Sequence, residues 1–164
     1  MPTNYERAFE QQPEAYAAWR QLSSAIKDGM DHRRYHLVTL AAARRLRSSY
    51  CSLVHGTTLM ETFDVPRESV LDGGAGLDEV DLAVMALAEK VVDDATAVDD
   101  ADRQRLRDLG LSERDIMDVV LAAAARCFFS KTLDALGVRA DARFQELDPE
   151  LREALVVGLP IADA

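Results

Sequence analysis

The chain predicts an all-α fold, a single-domain helical bundle. Three observations predict it. Apolar residues recur at helical spacing in one segment after another, and those segments open on capping residues and close on glycine or turn residues. No segment shows sustained period-two alternation with β-branched enrichment. The 164 residues, 48% of them hydrophobic, suit one domain with a sizeable core.

Taken in order, residues 1–12 are polar and read as an N-terminal arm. Pro13 starts a helix with Tyr16, Trp19, Leu22 and Ile26 on one stripe and Gly29 as its stop, and Trp19 belongs to the core or to an interface. Asp31 caps the next helix, whose alanines at 41–43 allow another helix to approach closely. A short polar break at Ser48 and Ser49 precedes a helix that runs to about Phe63. A turn-rich stretch follows, and its glycines at 73, 74 and 76 do not have the phosphate-binding spacing. Asp78, Asp99 or Asp100, Ser112 and Asp148 open four further helices, and Gly110 and Gly137 close two of them. The whole predicts about six to eight helices. They form a domain over residues 13–157, followed by a C-terminal tail at 158–164.

A net charge of −10 argues against nucleic acid or an anionic membrane as partner, because binding phosphates requires Lys and Arg to replace condensed counterions. No apolar run approaches the roughly 20 residues that cross a bilayer, and the first residues lack a basic start followed by an apolar core, so a cytoplasmic protein is expected. Two cysteines far apart in the chain make no disulfide framework, which agrees with a reducing compartment. Basic residues flank the helix after Asp31 ("DHRRYH", "RRLR"), and acidic ones gather in "VVDDATAVDDADRQ". The plain reading is solvated helix ends and faces. The sharper one is a basic cluster that attracts an anionic substrate or meets the acidic loop of another subunit.

Chemistry concentrates between His36 and Gly56. Residues four apart share a helix face, so Cys51 and His55 can stand side by side. A thiol attacks as thiolate, which a neighbouring imidazole and a helix N-terminus capped by Ser48 or Ser49 both favour. Tyr50 either lines a pocket or packs at the helix junction. Cys127, amid alanines and phenylalanines, reads as a buried space-filler. His32, His36, Cys51 and His55 include the side-chain types that bind zinc, but at no established metal-ligand spacing, so no metal and no cofactor are expected.

The segment "SSYCSLVH", with His36 twelve positions before Ser48, resembles the signature of the carboxymuconolactone decarboxylase and alkylhydroperoxidase D-like family. That signature is a glutamate followed by Cys-x-x-Cys-x-x-x-His. Here Ser48 replaces the first cysteine and His36 stands in the glutamate's place, while Cys51 and His55 match. The stretch from Leu82 to Val138 is similar to the family's second half, and the resemblance covers roughly residues 19–144. It implies an alkylhydroperoxidase D-like bundle assembled as a homo-oligomer.

The resemblance also implies a thiol-dependent antioxidant oxidoreductase in which Cys51 reduces a peroxide. His55 would be the base and His36 a relay. With Ser48 unable to form a disulfide, an external thiol reductant is needed. Two other classes stay open. One is cofactor-free lyase or isomerase chemistry on a small carboxylated lactone through His36 and His55. The other is a non-enzymatic oligomer that lost the redox pair.

Overall fold

The computed structural model describes residues 2–163, leaving Met1 of the arm and Ala164 of the tail outside the described residues. Seven helices answer to the seven predicted segments. They are α2 (Pro13–Gly29), α3 (His32–Arg45), α4 (Ser49–Phe63), α6 (Glu79–Asp94), α7 (Asp100–Asp108), α8 (Glu113–Ala135) and α9 (Pro149–Leu155). Two five-residue helices join them, α1 (Asn4–Ala8) and α5 (Arg67–Leu71), each too short to show a period in sequence. Among the described residues there is no strand.

α3 is the central element, packed against α4, α6 and α8. Every residue from Tyr35 to Ala43 is buried, and Ala41, Ala42 and Ala43 are fully so. α6 and α8 bring small buried side chains of their own, Ala83, Ala88, Ala122 and Ala123, and small residues on packed helices let the axes come close and exclude water.

The helix ends follow local chemistry. Side chains of Asp31, Asp78 and Asp148 accept backbone N–H bonds in the first turns of α3, α6 and α9, and Asp99 and Ser112 form full capping boxes with Asp102 and Asp115. α3 ends without glycine. Arg47 adopts a left-handed φ of 57°. Ser48 N–H donates to Ala43 O and Arg47 N–H to Arg44 O, the two bonds of a Schellman turn. α4 therefore starts at once and runs back along α3.

The described parts of both terminal segments pack on the domain. Tyr5 sits edge-on to Tyr50 and Phe129, Asn4 N–H donates to Asp141 Oδ1 at 2.7 Å, and Phe9 is buried. Aromatic area at 5 and 9 outweighs the polar residues around it. At the other end Gly158 lies against the Arg47 carbonyl, Ala162 N–H donates to Ala140 O at 2.9 Å, and Ile161 is buried.

The basic cluster flanking α3 finds acidic partners within the same chain. Arg33 pairs with Asp81 at 2.6 Å, Arg34 with Asp115 at 3.6 Å, and Arg45 with Asp93. Its charge is thus largely spent on joining α3 to α6 and α8.

Candidate functional site

The tight α3–α4 turn sets the site's geometry, because it runs α4 back along α3 and brings His55 opposite His36. Cys51 lies in the first turn of α4 and is 2% exposed. Ser48 holds the N-cap position, but its hydroxyl makes no capping bond, and the hydroxyl of Ser49 accepts from Gly158 N–H at 2.8 Å instead. The helix N-terminus at Cys51 is therefore open of side-chain caps.

Two side chains of α8 reach the sulfur. Ser130 Oγ donates to Cys51 Sγ at 3.2 Å, and Arg126 Nη1 lies 3.8 Å from it. They are one helical turn apart on the same face. Arg126 is 5% exposed, stacks over Trp19 and Phe129 at 5.0 and 5.1 Å, and extends Nη2 toward the Tyr35 hydroxyl at 3.5 Å. Sequence reading missed Arg126, Ser130 and Tyr35. One signal was available: Arg126 is the lone charge within "LAAAARCFFS", where a guanidinium on an apolar stripe needs a reason.

His55 does not hydrogen-bond to Cys51. Its Nδ1 lies 2.9 Å from Nδ1 of His36, with ring centroids 4.8 Å apart. One nitrogen must donate and the other accept, so the two neutral imidazoles adopt opposite tautomers. Burial, helped by the positive charges of Lys27, His32 and Arg126, lowers the His36 pKa to about 4. Burial, then Arg126, His36 and Lys27, lowers that of His55 as well. Both rings are neutral near pH 7.

These groups line one cavity of about 250 Å³. Cys51, His36 and His55 lie on it with Lys27, Tyr35 and Arg126, and Tyr5, Tyr50, Val54 and Phe129 supply apolar wall. Tyr50 contributes its ring. Its hydroxyl is committed to Asp141 Oδ2 at 2.5 Å, and burial and that carboxylate push its pKa up. Ser48 is buried and does not line the cavity. His32 is exposed and also outside it, so the four potential metal ligands are not brought together. No group of three or more His, Cys, Asp or Glu side chains among the described residues is arranged to hold a metal.

Cys127, expected to be buried, is partly exposed, whereas Cys51 is buried. α8 turns Arg126 and Ser130 toward Cys51, and that rotation carries residue 127 off the buried face.

No family model and no curated protein sequence matches the chain. Solved structures do. One is an uncharacterized peroxidase-related protein from Ralstonia eutropha JMP134, described as an alkylhydroperoxidase AhpD core, at TM-score 0.78 and 19% identity over 95% of this chain and 82% of the other. Another, an uncharacterized peroxidase-related protein from Silicibacter sp. TM1040, has TM-score 0.80 and 19% identity over 89% and 80%. The chain has the alkylhydroperoxidase D-like fold. A third match is the debrominase Bmp8, solved as a cysteine-to-alanine variant with 2,3,4-tribromopyrrole, at TM-score 0.74 and 15% identity over 94% and 82%. The alkylhydroperoxidase D-like fold thus accommodates the sequence without the glutamate and first cysteine of its signature.

Proposed function

We propose that this protein is a one-cysteine, thiol-dependent peroxidase with Cys51 as the nucleophile. The observation that carries the reading is the pair of donors aimed at one sulfur: Ser130 Oγ and Arg126 Nη1 both face Cys51 Sγ at the wall of a cavity. A guanidinium near sulfur is suited to stabilising thiolate, and a hydroxyl donor holds its direction. Arg126 thereby takes over the charge-stabilising part that spacing alone assigned to His55, since a neutral imidazole supplies no positive charge.

In the first step the thiolate attacks the outer oxygen of a hydroperoxide. An S–O bond forms and the O–O bond breaks, leaving a sulfenic acid and an alkoxide that takes a proton to depart as alcohol. Neutral His55 receives the thiol proton through the bound peroxide or water and, with His36 behind it, returns it to the leaving oxygen. Because both imidazoles are held neutral, neither keeps the proton. An external thiol then attacks the sulfenic sulfur, releasing water and forming a mixed disulfide, and a second thiol restores Cys51 and leaves as the oxidised disulfide. Ser48 cannot replace that reductant.

The cationic cavity and its two coupled imidazoles also favour a second reading, lyase or isomerase chemistry on a small carboxylated lactone with Cys51 incidental. Peroxide consumption in the presence of excess thiol, lost in Cys51→Ser and kept in a Cys127→Ser control, supports the peroxidase. Lactone turnover that survives Cys51→Ser supports the lyase, and neither activity supports a non-enzymatic scaffold.

We further propose that the protein is a homo-oligomer. Met117, Leu121 and Phe128 are 57%, 40% and 51% exposed along one side of α8, and Leu22 of α2, which packs on α8, is 50% exposed. Among the described residues no helix is long and apolar enough to cross a membrane. With the acidic net charge and the absence of a disulfide, this supports a cytoplasmic setting.

A further inference from the structure

Arg126 is an anomaly on energetic grounds. A guanidinium 5% exposed has lost most of its water, and the usual compensation is a carboxylate. Arg126 pairs with no carboxylate among the described residues, and its buried Nε has no hydrogen-bond partner. The stacking on Trp19 and Phe129 offsets part of the cost but occupies the faces of the guanidinium, not its N–H edge. That edge faces the cavity wall shared with Tyr35 and Cys51.

Lys27 adds a second positive charge to the same cavity, likewise without an ion pair among the described residues. None of the cavity's lining residues is acidic, and both histidines are neutral. In a chain of net charge −10 this is a local concentration of positive charge, enclosed by aromatic and aliphatic wall.

We infer that the cavity is a binding site for a small organic monocarboxylate, whose anionic end pairs with Arg126 and Lys27 and whose apolar body lies against Tyr5, Tyr50, Val54 and Phe129. The planar fork of the guanidinium matches a carboxylate, and the mostly apolar wall disfavours a compact, strongly hydrated anion such as phosphate. A volume of about 250 Å³ holds roughly eight water-sized groups, enough for a ligand the size of benzoate. As a substrate class, a hydroperoxide bearing a carboxylate, this rests on the cavity being the reaction site. As binding, it does not.

The experiment is calorimetric titration of the full-length protein with benzoate, with benzamide as its neutral isostere, and with inorganic phosphate. Benzoate is expected to bind at least about tenfold more tightly than benzamide, since hydrogen bonds to a charged group are the stronger ones, and to lose at least about tenfold in Arg126→Gln. Should Arg126→Gln fail to fold, Lys27→Gln, at a partly exposed position, decides: it weakens benzoate severalfold and leaves benzamide unchanged. Equal binding of benzoate and benzamide, an unaltered benzoate affinity in the folded variant, or displacement of benzoate by equimolar phosphate overturns the assignment. Benzoate binding is also measured in Cys51→Ser, where peroxide chemistry cannot occur, so a failed peroxidase with retained binding is told apart from a failed binding site.

Discussion

His55 Nδ1 and His36 Nδ1 meet at 2.9 Å across the α3–α4 pair, and this contact exists because Arg47 closes α3 in a left-handed turn. Its imidazoles are neutral, buried and adjacent to two positive side chains. That fixes how the protein should respond to acid.

Above pH 6.5 a histidine is neutral in both the folded and the unfolded chain, and no stability difference arises. As pH falls from 6.5 toward about 4, the unfolded chain takes up a proton at residue 36 that the folded protein refuses, so stability drops. The shift corresponds to at most about 3 kcal/mol, reduced by solvent reaching the ring through the cavity, and His55 adds a loss of the same sign. Urea unfolding from pH 7.5 to 4.5 should show this decline, and His36→Gln should flatten it. An unchanged slope in His36→Gln would mean that other groups govern acid stability.

Gly158→Ala should destabilise the protein by about 2–3 kcal/mol, the upper range for overpacking. An added Cβ would stand 1.8 Å from the Arg47 carbonyl oxygen, a backbone atom that cannot swing aside, and would disturb the bond from Gly158 N–H to Ser49 Oγ. Denaturant midpoints compared with the wild type measure it. A change under about 0.5 kcal/mol would show that the C-terminal segment is not held against the start of α4.

Arg126→Met should slow iodoacetamide alkylation of Cys51 at pH 7 by about tenfold or more, because it removes a charged donor facing the sulfur. Arg126→Lys should recover part of the rate. Equal rates in all three proteins would make Arg126 a packing residue.

Ser48→Cys should restore a dithiol. Positions 48 and 51 stand one turn apart, within the Cα separation a disulfide spans, so peroxide should convert the pair to an intrachain disulfide visible as a loss of two hydrogens by mass spectrometry. Persistent sulfenic acid in that variant would show that the two side chains cannot meet.

The helices were legible in the sequence because their signals are local: Asp31, Asp78, Asp99, Ser112 and Asp148 each cap the turn that follows them, and Gly110 and Gly137 adopt left-handed φ at helix ends. Cys51 and His55 were legible through their helical spacing and His36 through the resemblance to the family signature, and all three lie on one cavity. Their pairing was not. Spacing matched Cys51 to His55, whereas the cross-helix bond joins His55 to His36, and Cys51 takes its partners from α8, 75 and 79 positions along the chain. Nothing at Arg47 signals a left-handed residue, since that site usually calls for glycine or asparagine. The packed termini were hidden for a related reason: Tyr5, Phe9 and Ile161 are isolated apolar residues whose burial depends on surfaces formed by distant helices.

Which cysteine a peroxide oxidises first decides whether Cys51 is the nucleophile. Burial alone favours attack at Cys127, which is partly exposed, over Cys51, which is 2% exposed. The native protein is treated with one equivalent of tert-butyl hydroperoxide in the presence of dimedone, then digested and quantified by site-resolved mass spectrometry. The dimedone adduct is expected at Cys51 ahead of Cys127, and is expected to fall sharply when Arg126 is replaced by methionine. Labelling at Cys127 with Cys51 left as a free thiol would contradict Cys51 as the nucleophile.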